Sequence, residues 1–159
     1  MLPGFSTRSL VTAFPWGAET NGGLTVVDVG GGLGHVSRAL ASHNPLVKCI
    51  VEDSLDVISQ GQDALPADLH ARISFQAHDF FTEQPVKGAD IYLLRLVLHD
   101  WSDKYAKMIL KALIPALKPG AKVVINDRVI PSWREAPYLK EREARSVSSS
   151  LALQTLLRY

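Results

Sequence analysis

A glycine-rich turn that directly follows an apolar run constrains the fold of this chain more than any other feature. The run Leu24–Val29 is largely apolar, and four of the next five residues, 30–34, are glycine. Apolar residues with helical spacing resume at Val36. Glycine reaches positive φ without a steric penalty and lets the backbone approach a ligand closely, and the free N–H groups of a helix start face whatever lies over the turn. The pattern therefore predicts a buried strand, a tight turn and a helix start beside a ligand.

The spacing of these glycines separates two classes of ligand. A dinucleotide fingerprint, G-x-G-x-x-G, would need a glycine where this chain has His35. The observed spacing, Asp28-x-Gly30-x-Gly32-x-Gly34, is instead similar to the acidic-x-G-x-G-x-G motif of class I S-adenosylmethionine (SAM) methyltransferases. A plain β–α turn of an α/β protein is the alternative when the turn is considered alone.

Composition excludes several functional classes. The 159 residues carry 17 Lys and Arg against 16 Asp and Glu, without a basic block, which argues against a nucleic-acid partner. No apolar run reaches the ~18 residues of a membrane span, and the N-terminus has no secretory pattern. The single cysteine, Cys49, lies in an apolar run and predicts a buried strand residue, not a disulfide framework or a metal site. We therefore expect one globular, cytoplasmic domain without a metal.

Four further apolar runs alternate with helical patterns. The runs cover residues 47–53, 71–77, 90–94 and 121–127, and helical spacing covers 54–61 and 104–117. Such alternation predicts an α/β fold in which a parallel sheet has helices on both faces. Ligands of these sheets bind beyond the carboxyl ends of the strands. The fold would gather the polar residues that follow successive strands, which are Asp28, Asp53, Asp79, His99 and Asp127.

Two of these strand ends suit a nucleoside. Glu52 and Asp53 lie about 20 residues past the glycine turn, where a carboxylate accepts hydrogen bonds from ribose hydroxyls in nucleotide-binding βαβ units. Either side chain fits that role, and capping of the next helix is the alternative. After the third strand, Asp79 suits an adenine amino group, and the aromatic ring of Phe80 can cover the face of the base.

The chain divides into three segments by composition. Residues 1–23 are rich in turn signals and predict a lead-in that packs on the domain. Residues 24–131 form the predicted core. Residues 132–159 begin with a dense run of charges and continue with spaced apolar side chains, which predicts an amphipathic helix at the C-terminal end.

Six motifs together point to a family. They are Phe14-Pro15-Trp16, Val27-Asp28-Val29-Gly30-Gly31-Gly32, Val57-Ile58-Ser59-Gln60-Gly61-Gln62, His78-Asp79-Phe80-Phe81, Leu98-His99-Asp100-Trp101-Ser102-Asp103 and the strand that ends at Asp127. With these motifs the chain resembles, over residues 10–131, the catalytic domain of plant and fungal SAM-dependent O-methyltransferases of the caffeic-acid type. The fungal secondary-metabolism branch is the most similar. The resemblance implies a Rossmann-like class I methyltransferase fold and methyl transfer from SAM to a hydroxyl of a small aromatic or polyketide-like metabolite.

The resemblance also implies how the cofactor is held. The glycine turn would hold the methionine part of SAM, and the carboxylate after the second strand would bind its ribose. The acidic and aromatic residues after the third strand would contact the adenine, and an arginine after the fourth strand matches a cationic residue that the family uses near the cofactor. The implied cofactor residues are Asp28, Gly30, Gly32, Asp53, Asp79, Phe80 and Arg95.

By the same resemblance, His99 occupies the position of the catalytic base, and Asp127 that of an acid which orients it and is often Glu in the family. The sulfonium methyl is already activated, so the protein mainly aligns an in-line attack. A phenol with a pKa of about 10 is a poor nucleophile until it loses its proton. Histidine can take that proton near neutral pH, and a carboxylate on its other nitrogen fixes the tautomer and stabilises the imidazolium. Judged without the motif, His99 is more often a residue at a helix start than a catalytic base.

The chain departs from the family pattern at both ends. It lacks a counterpart of the N-terminal dimerising helical region, of a second catalytic acid and of the final antiparallel strand pair. The fifth strand would then be an exposed sheet edge, which the C-terminal segment, a second copy or a related chain would cover. The alternative function is therefore a truncated, catalytically weak or inactive SAM-binding or scaffold remnant.

Overall fold

The computed structural model describes residues 6–16, 23–127 and 152–156. The helices are α1 (Thr7–Ala13), α2 (His35–His43), α3 (Leu55–Asp63) and α4 (Asp103–Leu113). The strands are β1 (Leu24–Val29), β2 (Val47–Asp53), β3 (Ile73–Ala77), β4 (Ile91–Arg95), β5 (Lys122–Asp127) and β6 (Ala152–Leu156). Short 3₁₀ turns lie at Ala67–Leu69, Leu98–Asp100 and Ile114–Ala116.

The strands form one sheet in the order β3-β2-β1-β4-β5-β6. The five strands from β3 to β5 in that order pair in parallel, so the predicted α/β fold with a parallel sheet is confirmed. β1 is central, because its residue Val27 has Ile50 of β2 and Tyr92 of β4 as register partners. The chain order reverses on either side of β1. In open α/β sheets this switch point is where a ligand crevice forms, beyond the carboxyl ends of the strands.

Apolar side chains cover both faces of the sheet. On β1, Leu24 and Val26 face one cluster, to which α1 and α2 contribute, whereas Val27 and Val29 face a second cluster, to which α4 contributes. Because these strands are buried on both faces, their sequences are nearly continuous apolar runs. Helices therefore pack on both faces, as the sequence predicts.

The residues just after α1 pack into the first of these clusters. Phe14 and Trp16 are buried, and their ring centroids lie 4.7 Å apart. The indole Nε1 of Trp16 donates a hydrogen bond to the carbonyl of Leu10 at 3.2 Å, and the Asn44 side-chain amide donates to the carbonyl of Trp16 at 2.8 Å. The residues just after α1 are thus part of the core.

The C-terminal helix prediction is wrong for residues 152–156, which form strand β6. β6 pairs antiparallel with β5 over five register pairs, from Asp127 opposite Ala152 to Val123 opposite Leu156. A parallel edge strand presents a row of unpaired backbone groups, and pairing with that edge outweighs the local helical pattern. An antiparallel strand therefore borders β5, which corrects the expectation of an exposed edge there. The rest of the predicted C-terminal segment lies outside the described residues.

Among the residues described above, no three His, Cys, Asp or Glu side chains are grouped so that they could hold a metal ion. None of their helices is long and apolar enough to cross a membrane.

Candidate active site

The turn between β1 and α2 is tightly packed on the side of Asp28 and open on the side of Gly32. Gly31 lies against Asp28, and a Cβ atom at Gly31 would be 2.7 Å from the Asp28 Cγ. Gly30 and Gly32 have φ values of 68° and 57°, and a Cβ at Gly32 would meet nothing within 4 Å. The turn therefore offers its backbone to a ligand on the open side at Gly32.

Asp28 supports this turn from the core. Its side chain is buried, and its Oδ2 accepts a hydrogen bond from the Ser37 hydroxyl at 2.7 Å. Burial raises the pKa of Asp28 to about 6, against the lowering effects of the Ser37 hydrogen bond and of the Arg95 charge. Asp28 thus lies beneath the turn and outside the lining of the neighbouring cleft.

A cleft of about 720 Å³ opens beside the turn at the carboxyl ends of β2 and β3. Its lining residues are Asp53, Ser54, Leu55, Ala77, His78, Asp79, Phe80, Phe81 and Trp101. They combine hydrogen-bond acceptors with aromatic rings, and this lining contains neither Lys nor Arg.

Asp53 forms the wall nearest the glycine turn. Its Oδ2 accepts from the Gly32 N–H at 2.9 Å, and its Oδ1 accepts from the Ser54 N–H at 2.8 Å. The other candidate for ribose binding, Glu52, is only 1% exposed and faces the second cluster. Of the two carboxylates that the sequence left open, Asp53 is therefore the one that lines the cleft.

Asp79 and Phe80 form a second wall, just after the end of β3. The Asp79 carboxylate is exposed, and its Oδ1 accepts from the Phe81 N–H at 3.0 Å. Phe80 packs beside the glycine turn, since a Cβ at Gly30 would lie 3.6 Å from its Cε1. The turn, Asp53, Asp79 and Phe80 thus come together at one cleft.

Several lining residues are not among the site residues that the sequence predicts, and Trp101 and His78 are two of them. Trp101 stands edge-on to Phe81 with ring centroids 4.7 Å apart, and 6.0 Å from Phe80. Its position inside the Leu98–Asp103 motif was a signal, but the motif does not tell which way the indole faces. His78, which the sequence analysis names only as part of a motif, also lines the cleft, and burial lowers its pKa. Its place directly before Asp79 at the end of β3 was the signal for it.

His99 and Asp127 form a pair beyond the ends of β4 and β5. The His99 Nδ1 lies 2.7 Å from the Asp127 Oδ1, and their side chains are 26% and 10% exposed. The Asp127 Oδ2 accepts from the backbone N–H groups of Leu98 at 2.8 Å and His99 at 3.1 Å. The carboxylate therefore fixes both the imidazole and the backbone that carries it. The other ring nitrogen, Nε2, lies 3.2 Å from Oδ1 of the exposed Asp100.

Two hydrogen bonds join the end of β4 to the end of β5. The Arg95 Nε donates to the Asn126 Oδ1 at 3.1 Å, and the Leu96 N–H donates to the Asn126 carbonyl at 3.0 Å. Leu96 has a φ of 54°, a left-handed conformation that is unusual for a residue with a side chain. Arg95 is half-buried here and acts electrostatically on Asp28. These contacts fix where the chain turns toward His99.

The site combines a cleft whose lining suits a nucleoside with a His–Asp pair of the kind that can transfer a proton. Carboxylates accept hydrogen bonds from hydroxyl and amino groups, and aromatic faces cover a base. Lys and Arg are common partners of phosphate groups, and this lining supplies neither. The acceptors and aromatic rings of the lining suit a nucleoside, such as the adenosine part of SAM.

Comparison with known proteins shows which family this chain matches. The O-methyltransferase domain family matches residues 8–155 of this chain. The chain is 46% identical over 143 residues to the O-methyltransferase VdtC of Byssochlamys spectabilis, which covers 87% of this chain and 33% of that protein. It is 44% identical over 146 residues to the grayanic acid biosynthesis cluster O-methyltransferase of Cladonia grayi, and this match covers 91% of this chain and 32% of that protein. The chain thus spans about a third of the length of these curated relatives.

Among solved structures, the fold is similar to that of human N-acetylserotonin methyltransferase in complex with SAM. The two share 28% sequence identity with a TM-score of 0.71, over 89% of this chain and 40% of that one.

Proposed function

This chain belongs to the O-methyltransferase domain family, and we propose that it binds SAM and transfers the methyl group to a hydroxyl of a small aromatic or polyketide-like metabolite. The observation that carries the catalytic part is the contact between His99 and Asp127, 2.7 Å long, in which the same carboxylate also accepts two backbone N–H groups. Such a pair suits a general base that must keep one orientation.

The cofactor part of the proposal rests on the cleft. Bound SAM supplies an activated methyl group on a sulfonium sulfur. The glycine turn would receive its methionine part, Asp53 would accept from the ribose hydroxyls, and Asp79 from the adenine amino group. Phe80 and Trp101 would cover the base. Asp28 and Arg95 would act from behind the turn by holding its shape and its charge balance.

The dyad would generate the nucleophile. Since Nδ1 of His99 is held by Asp127, Nε2 is the nitrogen available to take the proton from the acceptor hydroxyl. The side chain of Asp100, which lies near Nε2, is 71% exposed. An incoming acceptor would therefore displace a solvated carboxylate, not a buried partner. Asp127 would stabilise the imidazolium that forms.

The class of acceptor follows from this proton transfer. A phenolic hydroxyl has to be deprotonated before it attacks the methyl group, and a His–Asp pair can remove that proton. The partner that we propose is thus a small molecule with such a hydroxyl.

Calorimetric titration of SAM into the full chain tests the cofactor part. We expect Asp53→Ala to weaken SAM binding about 10- to 100-fold, because a hydrogen bond to a charged group contributes roughly 1.5–3 kcal/mol. Asp63→Ala, an exposed carboxylate at the end of α3, is the matched control and should bind SAM as the unchanged chain does. A folded chain that does not bind SAM would refute the proposal. Binding without transfer to phenolic acceptors would favour the SAM-binding remnant.

A further inference from the structure

Glu52 and Gln84 form a buried polar contact that methyl transfer does not use. The Gln84 Nε2 donates to the Glu52 Oε2 at 2.8 Å, and the two residues are 1% and 0% exposed. Their surroundings on this face of the sheet are mainly apolar. Replacing a buried polar pair by apolar side chains of similar shape is often neutral or stabilising, so stability alone is a poor reason for its presence.

The contact joins the two walls of the cleft. Glu52 directly precedes Asp53, and its backbone carbonyl accepts from the Gly31 N–H at 3.0 Å. Gln84 follows the segment that carries Asp79 and Phe80, and within this segment the Thr82 N–H donates to the Asp79 carbonyl at 2.9 Å. The Glu52–Gln84 hydrogen bond thus adds a side-chain link between the ribose side of the cleft and its adenine side, beside the backbone hydrogen bond that the His78 N–H donates to the Asp53 carbonyl at 3.0 Å.

Two further hydrogen bonds hold Gln84 in place. Its backbone N–H donates to the carbonyl of Ala112 in α4 at 3.0 Å, and its Oε1 accepts from the Val86 N–H at 2.9 Å. The amide therefore has a fixed orientation. Movement of Glu52 relative to Gln84 would move the end of β2 relative to the rest of the cleft.

We propose that the Glu52–Gln84 hydrogen bond is a positioning device that acts with the backbone bond from His78 to Asp53, and that it holds the far end of the segment bearing Asp79 and Phe80 at a fixed separation from the end of β2. Its relevance to SAM rests on the proposed function. The mechanical role, in which the bond holds two walls together, does not depend on the identity of the ligand.

The charge state of Glu52 makes this device sensitive to pH. Its second oxygen, Oε1, is buried and has no hydrogen-bond partner among the described residues. Burial raises the pKa of Glu52 to about 7, against the lowering effect of the Gln84 hydrogen bond. Tyr92 of β4 is a titratable group that feels this charge, and its own pKa is raised, so it stays neutral. From α4, the group that meets the pair is the uncharged Ala112 carbonyl. Rising pH therefore places a charge on Glu52 whose burial penalty exceeds the stabilisation from the Gln84 hydrogen bond. This charge favours arrangements in which the Glu52 carboxylate reaches solvent, so the contact loosens.

Hydrogen–deuterium exchange of the ligand-free chain tests the mechanical role. Glu52→Met removes the acceptor but keeps the shape, and we expect roughly tenfold faster exchange at the amides of Phe81, Thr82 and Gln84. Glu52→Gln keeps an oxygen for Gln84 and should retain the original protection. Glu83→Gln, an exposed neighbour, is the matched control. Unchanged exchange in Glu52→Met, or an equal rise throughout the molecule, would overturn the proposal.

SAM titration from pH 6 to pH 8 tests the consequence for the ligand. In the unchanged chain we expect the affinity for SAM to fall with rising pH, by up to about tenfold per unit. The reason is that SAM binding then has to restore the Glu52–Gln84 contact. The affinity of Glu52→Gln should stay level, and that of Glu83→Gln should follow the unchanged chain. A parallel decline in Glu52→Gln would overturn the pH role. Failure of every form to bind SAM would refute the proposed function, and the exchange result would still decide the mechanical role.

Discussion

The two halves of the site are built differently. In the cleft half, Asp53 and Asp79 accept hydrogen bonds from N–H groups one and two residues further along the chain, and Asp53 also accepts from Gly32, 21 residues away. In the dyad half, Asp127 binds groups 28 and 29 residues away, and Arg95 reaches Asn126 across 31 residues. The cleft half combines local turns with the pairing of β1 and β2, whereas the dyad half depends on the register of β4 against β5. A local substitution should therefore act on one half without disturbing the other.

The largest expected effect concerns the dyad half. His99→Ala should lower the kcat of methyl transfer to a phenolic acceptor about 10²- to 10⁴-fold, the usual range for loss of a general base. Its SAM affinity should stay within about twofold, since the cleft keeps all its lining residues. Steady-state transfer of a labelled methyl group, combined with calorimetry, measures both quantities.

Asp127→Asn serves as the companion variant. It keeps an oxygen that can accept from the backbone of Leu98 and His99 but loses the charge that stabilises an imidazolium. We expect a similar loss of kcat with a retained fold. If either variant weakened SAM binding as much as Asp53→Ala does, the halves would not be independent.

An intermediate effect concerns the buried carboxylate under the cleft half. The pKa of Asp28 rises from its ordinary 3.8 to about 6 in the folded protein, so the folded state holds this proton more tightly than the unfolded chain. The free energy of unfolding should therefore fall as pH rises from about 4 to 6, by roughly 3 kcal/mol, and then level off for this group. Urea unfolding at several pH values measures the slope.

Asp28→Asn should remove this part of the slope. The Glu52 carboxyl, whose pKa is also raised, would still contribute a decline that extends to about pH 7. An unchanged profile between pH 4 and 6 in Asp28→Asn would show that the charge under the turn is not what makes this half sensitive to pH.

The smallest expected effect separates backbone strain from ligand contact. Gly32 and Gly88 both have positive φ, 57° and 71°, and a Cβ at either would meet nothing within 4 Å. Changing either to Ala should lower the free energy of unfolding by about 1–2 kcal/mol, the penalty of the left-handed conformation. Only Gly32→Ala should also weaken SAM binding, because its methyl group would project over the cleft. Equal affinities in the two variants would argue that the turn does not touch the ligand.

The sequence predicts the half that depends on local patterns better than the half that depends on pairing. The apolar run Leu24–Val29 and the four glycines after it predict β1 and its turn at their observed bounds. A helix was expected where β6 lies, because its residues also have helical spacing and the deciding interaction is with the distant edge of β5. The Glu52–Gln84 contact spans 32 residues, and no local pattern encodes such a partner. The face that Trp101 presents is likewise set by packing against Phe81.

The pairing of Asp127 with Ala152 has an evolutionary consequence. Asp127 and Ala152 are register partners across β5 and β6, so the main chain at Asp127 is held by a partner that lies far away in the sequence. Changes in the sequence between these two positions would therefore leave the carboxylate of the proposed dyad where the sheet places it. Selection could diversify that stretch from one lineage to the next while the chemistry beside it stays constant.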